Sequence, residues 1–163
     1  MFFAWPLVPE KCHQLRSCYL EPKISVADFN RLSEEKLPFA QAMGLQLETI
    51  NESHVVMRAG YSEQFIRPGG TISGPLLMAL ADAALYALVL SKVGMVELAV
   101  TTNLSINFLR KPSPGDVLAE ARILKLGKRL AVGEVSLYSE SESVKKPVAH
   151  ATGTYSIPPT SQD

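Results

Sequence analysis

Cysteine is nearly absent from this chain of 163 residues: only Cys12 and Cys18 occur, both in the N-terminal stretch. Two thiols cannot build the bridged framework of a small secreted domain. They read as spare thiols of a cytoplasmic protein, although their spacing would permit one bridge. Net charge is missing too, with 16 basic residues against 16 acidic ones. That balance removes any general electrostatic pull toward nucleic acid or an anionic membrane. Histidine is scarce: His13, His54 and His150 lie far apart without metal-ligand spacing, so no metal is expected. Gly69-Gly70-Thr71 is too short for a P-loop, and no dinucleotide fingerprint occurs, so no nucleotide cofactor is expected. The start, Met1 to Val8, is apolar but has no basic residue and is interrupted by Pro6, with Pro9 close behind, which does not fit a signal peptide. Long apolar runs number one, Pro75 to Leu90, which is short for a membrane span and carries Asp82 near its middle. These absences leave a soluble, cytoplasmic protein with neither a membrane nor a nucleic-acid partner as the expectation.

What is present has the pattern of one folded domain. A hydrophobic share of 47% is far too high for disorder, and the length suffices for a sizeable core. Residues 1–24 show no clean periodicity and read as an irregular N-terminal extension; 25–157 read as a single domain and 158–163 as a frayed tail. Ser25 with Asp28 resembles a capping box, which starts a helix over Val26–Glu35. Pro38 opens a short helical turn, Phe39–Met43, that Gly44 can end. A hairpin of Leu45–Ile50 and His54–Tyr61 follows, then a loop around Pro68-Gly69-Gly70 and the long apolar helix. The remainder reads as strands Leu98–Leu109, Val117–Leu126, Arg129–Ser139 and Pro147–Ile157, split by turn-forming segments. Consecutive strands on short turns pair antiparallel. The expected class is therefore α+β, a mostly antiparallel sheet around one long apolar helix. Because that helix has no polar face, it needs cover on the side away from the sheet. A second copy of the chain is the economical candidate.

Asp82 is the informative residue. Its helical neighbours Met78, Ala79, Leu85 and Tyr86 include no cation. An unpaired carboxylate in apolar surroundings is costly and tends toward its neutral form, so a chain carries one for chemistry or for a specific partner. Three readings stay open: Asp82 caps a second helix after a break, it pairs with a distant strand for structural reasons, or it is a functional carboxylate. Just upstream stands Ser73-Gly74-Pro75. Pro75 suits the first helical position, placing Gly74 at the N-cap, where its amide faces developing negative charge on an oxygen. The other reading is ordinary loop-to-helix punctuation. Asp82 and Gly74 are eight residues apart, about 12 Å along a helix. One chain cannot present both to a single carbonyl carbon, but two facing antiparallel helices can.

Together these residues resemble the hotdog-fold acyl-CoA thioesterases, particularly the phenylacetate-pathway (PaaI-like) type. The likeness spans about residues 36–157 and is carried by Leu37-Pro38-Phe39-Ala40, Gly70 to Asp82, Asn107 to Arg110, Gly115 to Ala121, Gly127 to Ala131 and Ala151 to Tyr155. The resemblance implies a hotdog fold, an antiparallel sheet wrapped around the central helix. It implies hydrolysis of an acyl-CoA thioester at a dimer-interface site, with no cofactor beyond the coenzyme A of the substrate, in a homodimer or a dimer of dimers. Asp82 matches the catalytic carboxylate, as general base or nucleophile. Gly74 matches the amide that polarises the carbonyl, and Thr101 a positioning hydroxyl, a role that Thr102 or Asn103 could take instead. Ser73 replaces the family's histidine in its usual His-Gly-Gly, and Arg67 replaces an asparagine; Arg67 can meet Asp82, a substrate carboxylate or phosphate, or solvent. Leu77 and Tyr86 would line the acyl pocket, and Arg110, Lys128 and Arg129, with Lys111 and Lys125, could meet coenzyme A phosphates. The rival readings are a non-hydrolytic acyl-ligand binding protein, a hotdog hydratase and, further off, a DNA-binding regulator of the same fold.

Overall fold

The computed structural model describes residues 21–141 and 146–159. Cys12 and Cys18, with most of the proposed N-terminal extension, lie outside them, as do residues 160–163 of the proposed tail. The capping box forms as expected: Ser25 Oγ accepts from the Asp28 amide and Asp28 returns the bond to Ser25, opening α1 (Val26–Lys36). Just ahead of Ser25, Ile24 is buried and the Lys23 amide donates to the Ser91 carbonyl. After α2 (Pro38–Ala42) come β1 (Leu45–Ile50) and β2 (Val55–Ala59). Two short strands that sequence periodicity could not register, β3 (Ile66–Arg67) and β4 (Thr71–Ile72), pair across the Pro68-Gly69-Gly70 turn. Helix α3 (Gly74–Val93) then precedes β5 (Val100–Phe108), β6 (Val117–Leu126), β7 (Leu130–Ser139) and β8 (Ala149–Ser156).

Six strands form one antiparallel sheet in the order β1-β2-β6-β7-β8-β5. Alternation along β6, β7 and β8 sends every second residue inward, where α3 lies against all six strands. The helix is long and apolar enough to cross a bilayer, yet it is the core helix of this fold. It runs three residues beyond the apolar stretch, and buried Lys92 there donates to the carbonyls of Asn51 (3.3 Å) and Glu52 (2.8 Å). One side of α3 stays open along Pro75, Met78, Ala79, Asp82, Ala83 and Tyr86. The helix is thus covered by the sheet on one face only.

How closely α3 approaches the sheet depends on two glycines. Gly133 and Gly153 are register partners on β7 and β8, and Leu85 sits over both. A Cβ at Gly153 would lie 2.5 Å from Leu85 Cδ1 and 3.2 Å from the Asn103 carbonyl; at Gly133 it would lie 2.7 Å from Leu85 Cδ2. Gly153→Ala is expected to lift the helix and destabilise the domain by about 1–3 kcal/mol, the usual range for overpacking. Chemical denaturation of both proteins measures it, and equal midpoints would refute the close-approach account.

Candidate active site

The site starts from helix register. Asp82 and Leu85 are three residues apart on α3, and Tyr155 and Gly153 are two apart on β8, so each pair shares a face. The Leu85–Gly153 contact therefore sets the height of Asp82 above Tyr155. The Tyr155 hydroxyl donates to Asp82 Oδ1 at 2.8 Å and lies 2.9 Å from the Asp82 carbonyl. Thr101 Oγ1 donates to the same Oδ1 at 2.7 Å. Asp82 remains half-buried, in a helix that continues unbroken through it, so it caps no second helix.

A β-bulge selects Thr101. From Phe108 back to Leu104, β5 and β8 pair in one register, which would set Thr102 opposite Tyr155. The register shifts between Thr101 and Asn103, so Thr101 faces Tyr155 instead and Thr102 donates to the Thr154 carbonyl at 3.1 Å. Of the three candidates on this strand, Thr101 alone bonds the carboxylate. Tyr155 itself escaped the sequence reading as a site residue. The available signal was its inward parity on β8, since a buried phenol must find an acceptor. Burial first, and then the Asp82 carboxylate, raise its pKa above the ordinary tyrosine value, so it stays a protonated donor.

Two clefts flank α3. The first, about 530 Å³, is apolar apart from Asp82, Thr101 and a Lys36–Glu97 ion pair, its walls formed by Leu37, Pro38, Phe39, Tyr86 and Val100. Tyr86 stacks on Tyr155 with ring centroids 6.2 Å apart and donates to the Glu97 carbonyl. The second cleft, about 420 Å³, holds Gly74 with Arg67, Leu77, Phe108, Arg110 and Lys111 and no acidic residue.

Its geometry comes from the β3–β4 hairpin. Gly69 and Gly70 take φ of 95° and 68° in the turn, values that favour glycine, and this brings Arg67 back beside the helix start. Ser73, rather than Gly74, is the N-cap, one residue earlier than expected; Gly74 and Pro75 are already helical. The Ser73 side chain makes no capping bond. In the first helical turn the Gly74 amide has no partner four residues back, and among the described residues no acceptor takes it. Gly74 has ordinary backbone angles, and a Cβ there would meet only the Phe108 ring at 3.4 Å. Packing leaves room for a Cβ at 74, while a helical residue directly before Pro75 is eased by having none.

The site residues expected from sequence therefore divide into two groups. Asp82, Thr101 and Tyr86 share the first cleft, whereas Gly74, Arg67, Leu77 and Arg110 share the second. Lys128 and Arg129 lie at the β6–β7 turn, outside both. Within one chain Arg67 forms no ion pair with Asp82, whose partners are hydroxyls.

The fold and the sequence agree with known proteins. The profile of the thioesterase superfamily matches residues 69–146. A solved structure of a candidate thioesterase from a Silicibacter species is 45% identical, with a TM-score of 0.77, covering 86% of this chain and 96% of that one. This chain belongs to the thioesterase superfamily. A candidate esterase of Saccharolobus solfataricus is 29% identical over 139 residues, 85% of this chain and 89% of its own. The phenylacetic acid degradation protein PaaI of Thermus thermophilus is 28% identical, with a TM-score of 0.64, covering 74% of this chain and 99% of that one. Membership in the thioesterase superfamily supports a hydrolytic role, and the PaaI likeness extends to the antiparallel sheet around a central helix.

Proposed function

We propose that this thioesterase-superfamily protein hydrolyses acyl-CoA thioesters to free acid and coenzyme A, at a site completed by two copies of the chain. The observation that carries the reading is the division between the clefts, an apolar one closed by Asp82 and a cationic one opened by Gly74. An acyl-CoA has the same division. Its acyl group is apolar, its coenzyme is polyanionic, and the reactive carbonyl lies between. Phosphates are repelled by Asp82 and drawn to Arg67, Arg110 and Lys111, while the acyl group favours the Leu37, Phe39 and Tyr86 side.

The carbonyl must meet a donor and the carboxylate together, and one helix holds them about 12 Å apart. Strand β5 suggests the resolution. It is a nine-residue sheet edge with no proline and no charge, the devices that usually blunt such edges. Leu98 before it is 78% exposed, and Val100 and Phe108 within it are more than half exposed. Two-fold pairing of β5 with its copy would join the sheets, cover the open side of α3 and bring Gly74 of one chain toward Asp82 of the other.

In that arrangement Asp82 takes a proton from water as the water oxygen bonds to the carbonyl carbon, or it bonds to that carbon itself and water opens the resulting anhydride. Either way the carbonyl electrons move onto an oxygen held by the Gly74 N–H, the C–S bond breaks, and the departing thiolate takes up a proton. Thiol release from short, medium and aromatic acyl-CoAs tests the activity; saturable binding with no turnover on any of them defeats it. The cationic cleft has its own test. Arg67→Ala and Lys111→Ala are each expected to raise KM for an acyl-CoA roughly 10-fold, the loss of one phosphate ion pair, while KM for the matching N-acetylcysteamine thioester stays put. Equal effects on both substrates would place the coenzyme elsewhere.

A further inference from the structure

We propose that Tyr155 is a positioning residue for Asp82, and that together with Thr101 it anchors Oδ1 so that Oδ2 is the working oxygen of the carboxylate. The inference rests on the hydrolytic reading above and adds to it a residue and an atom. Both hydroxyls converge on one oxygen, Tyr155 at 2.8 Å and Thr101 at 2.7 Å. No described residue donates to Oδ2. Because Asp82 lines the apolar cleft, the unbonded oxygen is the one available to a molecule there.

The convergence is a product of the fold rather than a chance contact. Thr101 and Tyr155 are register partners on β5 and β8, placed opposite each other by the bulge at Thr102. Tyr155 is 3% exposed and stacked on Tyr86, which in turn meets Phe29 edge-on at 6.1 Å. Its ring is therefore held by packing on the Tyr86 side. The phenol also lies against the Asp82 main-chain carbonyl, a contact that ties β8 to the helix at the residue whose side chain it orients. A free carboxylate turns about its last torsion between two equivalent placements, each oxygen taking the working position in turn. Anchoring one oxygen with two donors removes that freedom and fixes the plane in which the other attacks or accepts a proton. A purely structural anchor for Tyr155 would be complete with the main-chain carbonyl alone. The single phenol proton is instead also within reach of the side-chain oxygen, at the slightly shorter 2.8 Å, beside a hydroxyl from another strand that donates to the same atom.

The experiment compares Tyr155→Phe, Thr101→Val and the double variant with wild type on one acyl-CoA, with Thr101→Ser and Asp82→Asn as controls and thermal melting to give the folded fraction. Tyr155→Phe removes only the hydroxyl and keeps the ring. Each single variant is expected to lower kcat roughly 10- to 100-fold, the worth of one hydrogen bond to a charged group, with KM within about 2-fold. Thr101→Ser, which keeps the hydroxyl, should stay within about 3-fold of wild type, and the double variant should lose less than the product of the singles because both act on one oxygen. Unchanged kcat per folded enzyme in Tyr155→Phe overturns the proposal, as does a KM rise with kcat intact, which would mean the hydroxyls touch substrate. If Tyr155→Phe does not fold, Thr101→Val decides by the same criterion, and its full kcat removes the two-donor anchor. Failure of the underlying reading looks different: it is wild-type turnover in Asp82→Asn.

Discussion

Asp82→Asn is expected to lower kcat for acyl-CoA hydrolysis by roughly 10²- to 10⁴-fold, the range that a positioned acid–base group contributes, while the melting temperature holds or rises. The amide has nearly the shape of the carboxylate. Its oxygen can still accept from Thr101 and Tyr155, which meet Oδ1 at 2.7 and 2.8 Å. What it loses is the capacity to take a proton or bond to a carbonyl carbon. Removing a charge from the apolar cleft also relieves a desolvation cost, so stability has no reason to fall. Steady-state thiol release from both proteins, with melting curves alongside, is sufficient. Equal kcat in the two would remove Asp82 from the chemistry and leave its two hydroxyl bonds as a structural pairing.

Gly74→Pro should produce a loss of about 10²- to 10³-fold in kcat, the usual cost of removing one donor to a developing oxyanion. The substitution replaces the N–H with the ring Cδ and adds a Cβ beside the Phe108 ring. Ser73 already has φ of −74° and ψ of 146°, the extended conformation that a residue before proline adopts, and the first helical position accepts proline readily. Gly74→Ala is the matched control, since it retains the amide and adds a Cβ at 3.4 Å from the Phe108 ring. Alanine should therefore keep most of the activity that proline loses. The two inactive variants also test whether the site is shared. In a two-fold dimer, mixing Gly74→Pro with Asp82→Asn under conditions that exchange subunits builds one intact site per mixed dimer, so activity recovers to about a quarter of wild type. No recovery, with subunit exchange verified, would place both groups in the same chain's site.

These two experiments bear on different kinds of inference. Asp82 stood out in the sequence because its surroundings made it physically expensive: a carboxylate with four apolar neighbours one turn away on a helix. Gly74 stood out only through its place before Pro75, and the helix proved to start at Gly74 itself, one residue earlier than expected, with Ser73 as its N-cap. Strand boundaries were legible wherever alternation was regular, as in β1 and β6, which match their expected limits. The two-residue strands β3 and β4 were not, because two residues carry no period. Yet that small hairpin is what returns Arg67 to the Gly74 cleft. The cations at the β6–β7 turn, Lys128 and Arg129, looked equivalent to Arg110 in sequence and fall outside both clefts, since composition does not say which end of a sheet a turn occupies.

By itself, the sequence determined the architecture. A single apolar helix among strands with period-two alternation can bury its surface only against their inner faces, and short turns between the strands make them antiparallel. It also singled out Asp82, through the cost of an unpaired charge. Only the tertiary structure decided what that carboxylate touches. Alternation along β5 points to Thr102, and one extra residue in the bulge turns Thr101 inward in its place. Tyr155 reaches Asp82 because Gly133 and Gly153 let Leu85, and with it the helix, settle against the sheet. Both facts depend on register between segments some 50 to 70 residues apart in the chain. Local pattern records which face a residue takes, whereas the pairing of distant strands sets which partner waits on that face.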